Sequence, residues 1–163
     1  MAHHGDIFSI LRDDHDKHRD LLAKIDDTHG ESDERIKLFR QFTLEVKAHA
    51  AAEEQALYST VMRKPDLTSE VRHSVAEHHE IEEMLNDLAA TDMATGAWLT
   101  KFREMKHRYL HHIDEEEEEH FPDFDKKLTA EDEAFMARCF EQRKPAEKRQ
   151  ADVTPEKMED AKE

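Results

Sequence analysis

Apolar residues recur along this chain at helical spacing, in four long stripes. Ile7, Ile10, Leu11, Leu22 and Ile25 share one face and predict a helix from Asp6 to about Thr28. Thr28-His29-Gly30 ends it, and Ser32 is placed to cap the next. The second stripe runs Leu38, Phe39, Phe42, Val46, Leu57 and Val61, with Pro65 as its stop. Thr68 or Ser69 opens a third, with Val71, Val75, Ile81, Leu85 and Leu88. After a break at Thr91 to Gly96, the fourth carries Leu99, Phe102, Met105, Tyr109 and Ile113 and is expected to end near Pro122. Thr129 caps a shorter fifth segment with Ala134, Phe135, Met136, Ala137 and Phe140.

Four long helices joined by short loops predict an all-α fold, an antiparallel up-down-up-down four-helix bundle. The halves also repeat. An offset of 63 residues aligns Leu22 with Leu85, Ile25 with Leu88, Phe39 with Phe102 and Tyr58 with Phe121, without a gap. This is a duplicated helical hairpin, whose copies would pack about a pseudo-twofold axis. The bundle and the short fifth helix are assigned to residues 1–143. Residues 144–163 are charge-rich without grouped large apolar residues, and are expected to be a disordered tail.

Polar residues interrupt these stripes at matched places. His15 sits among the apolar positions of the first helix, and its counterpart 63 residues on is His78. His49-x-x-x-Glu53 interrupts the second stripe, and His112-x-x-x-Glu116 the fourth at the same offset. A His and a Glu four apart point the same way, one turn above the other. Buried there, they need partners. Two-fold packing would bring His15, His49, Glu53, His78, His112 and Glu116 together. Imidazole nitrogen and carboxylate oxygen without thiolate suit Fe, Zn, Mn or Co. Six ligands are many for one ion, so the repeat points to two, bridged by carboxylates.

Composition narrows the remaining classes. The 3 Gly and 4 Pro argue against a turn-rich β fold. A net charge of −16 disfavours nucleic acid or an anionic membrane as partner. Cys139, a single cysteine, excludes an intrachain disulfide, and the lack of a long apolar run or signal-like core gives a cytoplasmic expectation. His3-His4 is left out of the site.

Asp14-His15, His49-x-x-x-Glu53-Glu54-x-x-Leu57-Tyr58, Glu77-His78 and His112-x-x-x-Glu116-Glu117-x-x-His120-Phe121-Pro122 together resemble the hemerythrin-like, or HHE cation-binding, family. The likeness covers about residues 6 to 125. It implies a four-helix bundle with a non-haem di-iron centre that handles O2, H2O2 or NO, or senses iron or redox state. Carried over, Glu53 and Glu116 bridge the irons and the four His are terminal ligands. The oxygen carriers of the family have a second His on the third helix, where this chain has Glu82, and a longer His-to-Asp spacing on the fourth, which Glu117 would fill. Fewer imidazoles and more carboxylate favour the higher oxidation states. The expectation is therefore reaction with H2O2, as in oxidative-stress protection. Sensing of iron, O2 or NO, or metal storage without turnover, is the alternative.

Other candidates follow from position. Glu82 is the candidate seventh ligand. His18, one turn after His15, has Ile81 as its repeat partner and reads as a partly exposed or orienting His. His120 reads as filling the bundle end, Tyr58 and Tyr109 as packing, and His73, His79, His107 and His111 as surface residues.

Overall fold

The computed structural model describes residues 6–151, so His3-His4 and residues 152–163 lie outside the described part. Helix α1 (Ile7–Asp26) starts where Asp6 Oδ1 accepts the Phe8 N–H at 3.0 Å. Helix α2 (Asp33–Glu53) is capped by Ser32, whose Oγ takes the Arg35 N–H at 3.1 Å. Helix α3 spans Thr68–Ala89, and α4 spans Gly96–Glu115 under a Thr95 cap. Helix α5 (Ala130–Ala151) opens on a reciprocal pair, Asp132 N–H to Thr129 Oγ1 and Thr129 N–H to Asp132 Oδ2, both 3.1 Å.

Both α2 and α4 run on past the sequence's His-x-x-x-Glu units through a widened π turn. These turns are Glu54–Tyr58 and Glu116–His120, followed by helical Ser59–Val61 and Phe121–Lys127. A π turn bonds i to i+5 and commonly marks a functional site. Here it sits at nearly the same place in both repeats. It also explains why α4 does not stop near Pro122. The Phe121 N–H already bonds the Glu116 carbonyl, five residues back, so Pro122 enters at the start of a fresh helical segment and its missing donor is not needed.

The four long helices bury two apolar clusters. One gathers Ile7, Leu11, Leu57, Val71, Phe121, Phe124 and Phe140; the other gathers Leu22, Ile25, Phe42, Ile81, Leu85, Trp98, Phe102, Tyr109 and Ile113. On α1 to α4 the site residues fall at or beside the junction of the two clusters. His15 follows Leu11 and precedes Leu22, His49 and Glu53 lie between Val46 and Leu57, His78 between Val71 and Ile81, and Glu116 between Ile113 and Phe121. The polar layer is thus sealed above and below by side chains worth about 1.5–3 kcal/mol each when fully buried.

Helix α5 differs from its expectation. It is 22 residues long and continues through Lys144 to Ala151, so the chain is ordered helix where a tail was expected at 144. Its charged residues have partners on helices distant in sequence. Lys144 Nζ meets Asp14 Oδ1 at 2.8 Å and Glu45 Oε2 at 3.4 Å; Lys148 pairs with Glu45, and Gln55 Nε2 donates to Glu147 Oε1 at 2.8 Å. Its apolar side, Met136, Ala137 and Phe140, closes the first cluster. Phe135 and, on α3, Val75 face solvent, 46 % and 39 % exposed, against the stripe assignment.

Candidate metal centre

The six sequence-selected residues form two buried triplets. His15, His49 and Glu53 present ligand-type atoms within 4.8 Å of one another, and so do His78, His112 and Glu116. Each triplet comes from one hairpin. Glu53 reaches toward the other: its Oε1 is 3.8 Å from His78 Nε2, and Glu116 Oε1 is 4.0 Å from the same nitrogen.

Every one of the four imidazoles turns its Nδ1 to a carboxylate. The distances are 2.8 Å for His15 to Glu117, 2.9 Å for His49 to Asp14, 3.3 Å for His78 to Glu54 and 3.1 Å for His112 to Glu77. Such a contact places the ring proton on Nδ1 and leaves the Nε2 lone pair free, the arrangement of a metal-binding imidazole. No local pattern in the sequence marks these four acids as partners of the imidazoles. Yet they too repeat at 63 residues, Asp14 with Glu77 and Glu54 with Glu117. The first pair orients a His of its own hairpin, and the second pair crosses to the other. Glu117 is therefore the partner of His15, held in turn by Arg19 at 2.7 Å.

The inward-facing atoms lack hydrogen bonds. His15 Nε2, His49 Nε2, Glu53 Oε2 and Glu116 Oε1 are all buried without a partner. His49 Nε2 approaches Glu53 Oε2 to 2.8 Å, and His112 Nε2 approaches Glu116 Oε1 to 2.6 Å. These atoms sit close but do not point at one another. They converge on shared space, as donors to a cation would. The donor set of imidazole and carboxylate, unsatisfied and buried, fits a pair of first-row metal ions.

The charges carry the same strain. Burial disfavours the Glu53 carboxylate, but the His49 imidazole 2.8 Å away and the charge of His78 outweigh it and hold Glu53 well below the usual range. Glu116 is pushed well above it, by burial and then by the negative charge of Glu53. Burial lowers His15 to about 4. His49 rises to about 9, because Asp14 and Glu53 together overcome the desolvation that opposes its charge. Without metal the centre thus holds protons that a cation would replace.

Two further residues stand closer than expected, and Glu82 stands farther out. His18 is fully buried rather than partly exposed; its Nδ1 lies 2.6 Å from the Tyr109 hydroxyl and its Nε2 has no partner. Tyr58, five residues after Glu53 across the π turn, donates its hydroxyl to Glu53 Oε1 at 2.7 Å. Glu82 is exposed and lines the rim of a cavity of about 550 Å³ between α2 and α3. His49, His78 and Tyr109 also line that cavity, so it opens toward both triplets. His79 and His107 are on the surface, as expected.

The family model for the hemerythrin HHE cation binding domain matches residues 6–124. No curated protein matches the chain. A crystal structure of a hemerythrin HHE cation binding domain-containing protein from Mycobacterium kansasii superposes with a TM-score of 0.71 at 24 % identity, over 86 % of this chain and 88 % of that one. That likeness is one of fold.

Proposed function

The chain belongs to the hemerythrin HHE cation-binding family, and from that premise we propose that it holds two iron ions and decomposes H2O2. The proposed ligands are His15, His49 and Glu53 for one ion and His78, His112 and Glu116 for the other, with the two Glu between them. What supports this most directly is the set of buried Nε2 and carboxylate oxygen atoms that converge without hydrogen-bond partners. When bound, two irons would supply the paired one-electron changes that a two-electron reaction of H2O2 requires.

The chain's own residues set the conditions. Asp14, Glu54, Glu77 and Glu117 orient the imidazoles and raise their basicity. The two apolar clusters exclude bulk water above and below. The cavity beside His78 and His49 admits a small molecule from one side. Tyr109, hydrogen-bonded to His18 and lining that cavity, can offer its hydroxyl to an entering ligand. Tyr58 holds Glu53 in a fixed orientation. Among the described residues, no helix is long and apolar enough to cross a membrane.

The test is metal analysis and visible spectroscopy of aerobically prepared protein, followed by H2O2 addition. Two irons per chain, charge-transfer absorption and sustained O2 evolution support the reading. Stoichiometric bleaching without turnover favours a sensor or store. One zinc per chain and no colour rules out the di-iron centre. His112→Ala and Glu53→Gln should each lower the metal count.

A further inference from the structure

We propose that His73, Glu77, Glu115 and His120 form a third, outer site for a first-row divalent cation, at the surface end of the hydrogen-bond path from His112. His73 Nε2 lies 3.2 Å from Glu77 Oε1 and 3.1 Å from Glu115 Oε1. One ligand-type atom from each of these three residues falls within 4.8 Å of the others. His120 enters from the next turn of α4, with Nε2 3.4 Å from Glu115 Oε1 and Nδ1 3.1 Å from the Ser74 hydroxyl. Its side chain is 5 % exposed, so this imidazole is fixed facing the cluster rather than free in solvent. His111 Nε2 adds a fifth donor on the open side, 3.4 Å from Glu115 Oε2. Two to three imidazoles and two carboxylates make a donor set for Zn²⁺ or Fe²⁺, not for Mg²⁺ or Ca²⁺.

The internal repeat gives an independent reason to place a cation here. Glu77 is the counterpart of Asp14. Both orient a His with one carboxylate, and both keep a further outward contact. At Asp14 that contact is a cation of the chain itself, the Lys144 ammonium at 2.8 Å. Helix α5 packs over this hairpin, and the positions there equivalent to His73, Glu115 and His120 are Ile10, Ala52 and Leu57, packed in the cluster that includes Phe140. The second hairpin carries metal-binding side chains at those same three positions, and the outward contact of Glu77 is His73. Where one half of the repeat is closed by a lysine and apolar residues, the other presents donors to solvent.

Glu77 Oε1 serves both His73 and His112, which lies 3.1 Å from it. An outer cation would therefore draw on the oxygen that orients His112, and would weaken metal retention at the inner triplet. This coupling rests on the di-iron reading; the outer site itself does not.

The experiment uses the full chain, first saturated with iron and desalted, then titrated with Zn²⁺ and, in parallel, with Co²⁺. The expected result is one additional ion per chain, with Co²⁺ giving ligand-field absorption of a nitrogen- and oxygen-ligated ion. His73→Ala and Glu115→Gln should each weaken that ion at least tenfold while the iron count and helicity stay at the parent values. No additional ion, or an additional ion indifferent to both substitutions, overturns the proposal. If the iron-free chain also takes one His73-dependent ion while binding nothing that His112→Ala removes, the outer site stands and the inner reading falls.

Discussion

Asp14 Oδ2 lies 2.9 Å from His49 Nδ1, and the other oxygen of that carboxylate holds Lys144 at 2.8 Å. The contact fixes the imidazole in one tautomer and one orientation, with Nε2 turned inward. Asp14 is held well below the usual carboxylate range, since the hydrogen bonds and charges of His49 and Lys144 outweigh the burial that opposes ionisation. Asp14→Asn keeps the shape but removes the charge. It should lower metal affinity by about 10–100-fold. Metal retention against a graded chelator series checks this, and unchanged retention would mean that Asp14 does not orient a ligand.

Metal uptake should release protons. In the metal-free centre His49 titrates at about 9, so at pH 7 it carries a proton, and burial with the charge of Glu53 pushes Glu116 well above the ordinary carboxyl value. Ligands must shed their protons to bind, and the release should be at least about one per chain loaded. The sign follows: apparent affinity climbs as pH rises toward 9, then levels. Calorimetry of loading in buffers of different ionisation enthalpy counts the protons. A count of zero would refute the charge assignment at His49.

The helices, the hairpin repeat and the two triplets were legible because each leaves a local mark that occurs twice. His49-x-x-x-Glu53 is weak alone and informative only with His112-x-x-x-Glu116 at the same offset. The orienting acids carried that mark as well, at Asp14 and Glu77 and at Glu54 and Glu117, but a carboxylate beside a ligand reads as an ordinary surface charge until its partner is seen. The burial of His18 is not legible in the repeat, because its partner there, Ile81, is apolar. Ile81 is 2 % exposed, and its burial is what the position shares. The continuation of α5 past 143 was not legible for a different reason. Its stability depends on Asp14 and Glu45, over 90 residues away, and no local pattern records that pairing.

Helix α5 should be part of the bundle's cooperative unit rather than an appendage. Phe140 is 2 % exposed and meets the His49 ring edge-on at a centroid distance of 5.6 Å. Phe140→Ala would leave a cavity against the metal layer and cost about 3–5 kcal/mol. Urea unfolding of the metal-free chain measures it. A loss under about 1 kcal/mol, within reach of an ordinary surface change, would show that α5 undocks freely.

A second pair of acids, away from the metal layer, gives a pH-dependent stability prediction. Burial first, then the charge of Asp123 and a hydrogen bond to it, raise Glu70 to about 7. The folded chain therefore binds a proton that the unfolded chain releases at its ordinary value of 4.5. The sign is that of a raised acid: its stabilising proton is fully present below 4.5, is lost as pH climbs to about 7, and above that leaves two like charges together. Glu70→Gln removes the repulsion while keeping a donor for Asp123. The variant should match the parent at pH 4.5 and exceed it at pH 8, by a few degrees in Tm at most, since Glu70 is half-buried and solvent screens the pair. Thermal melts of both proteins across that range decide the matter. Parallel curves would mean that Glu70 and Asp123 do not share a proton.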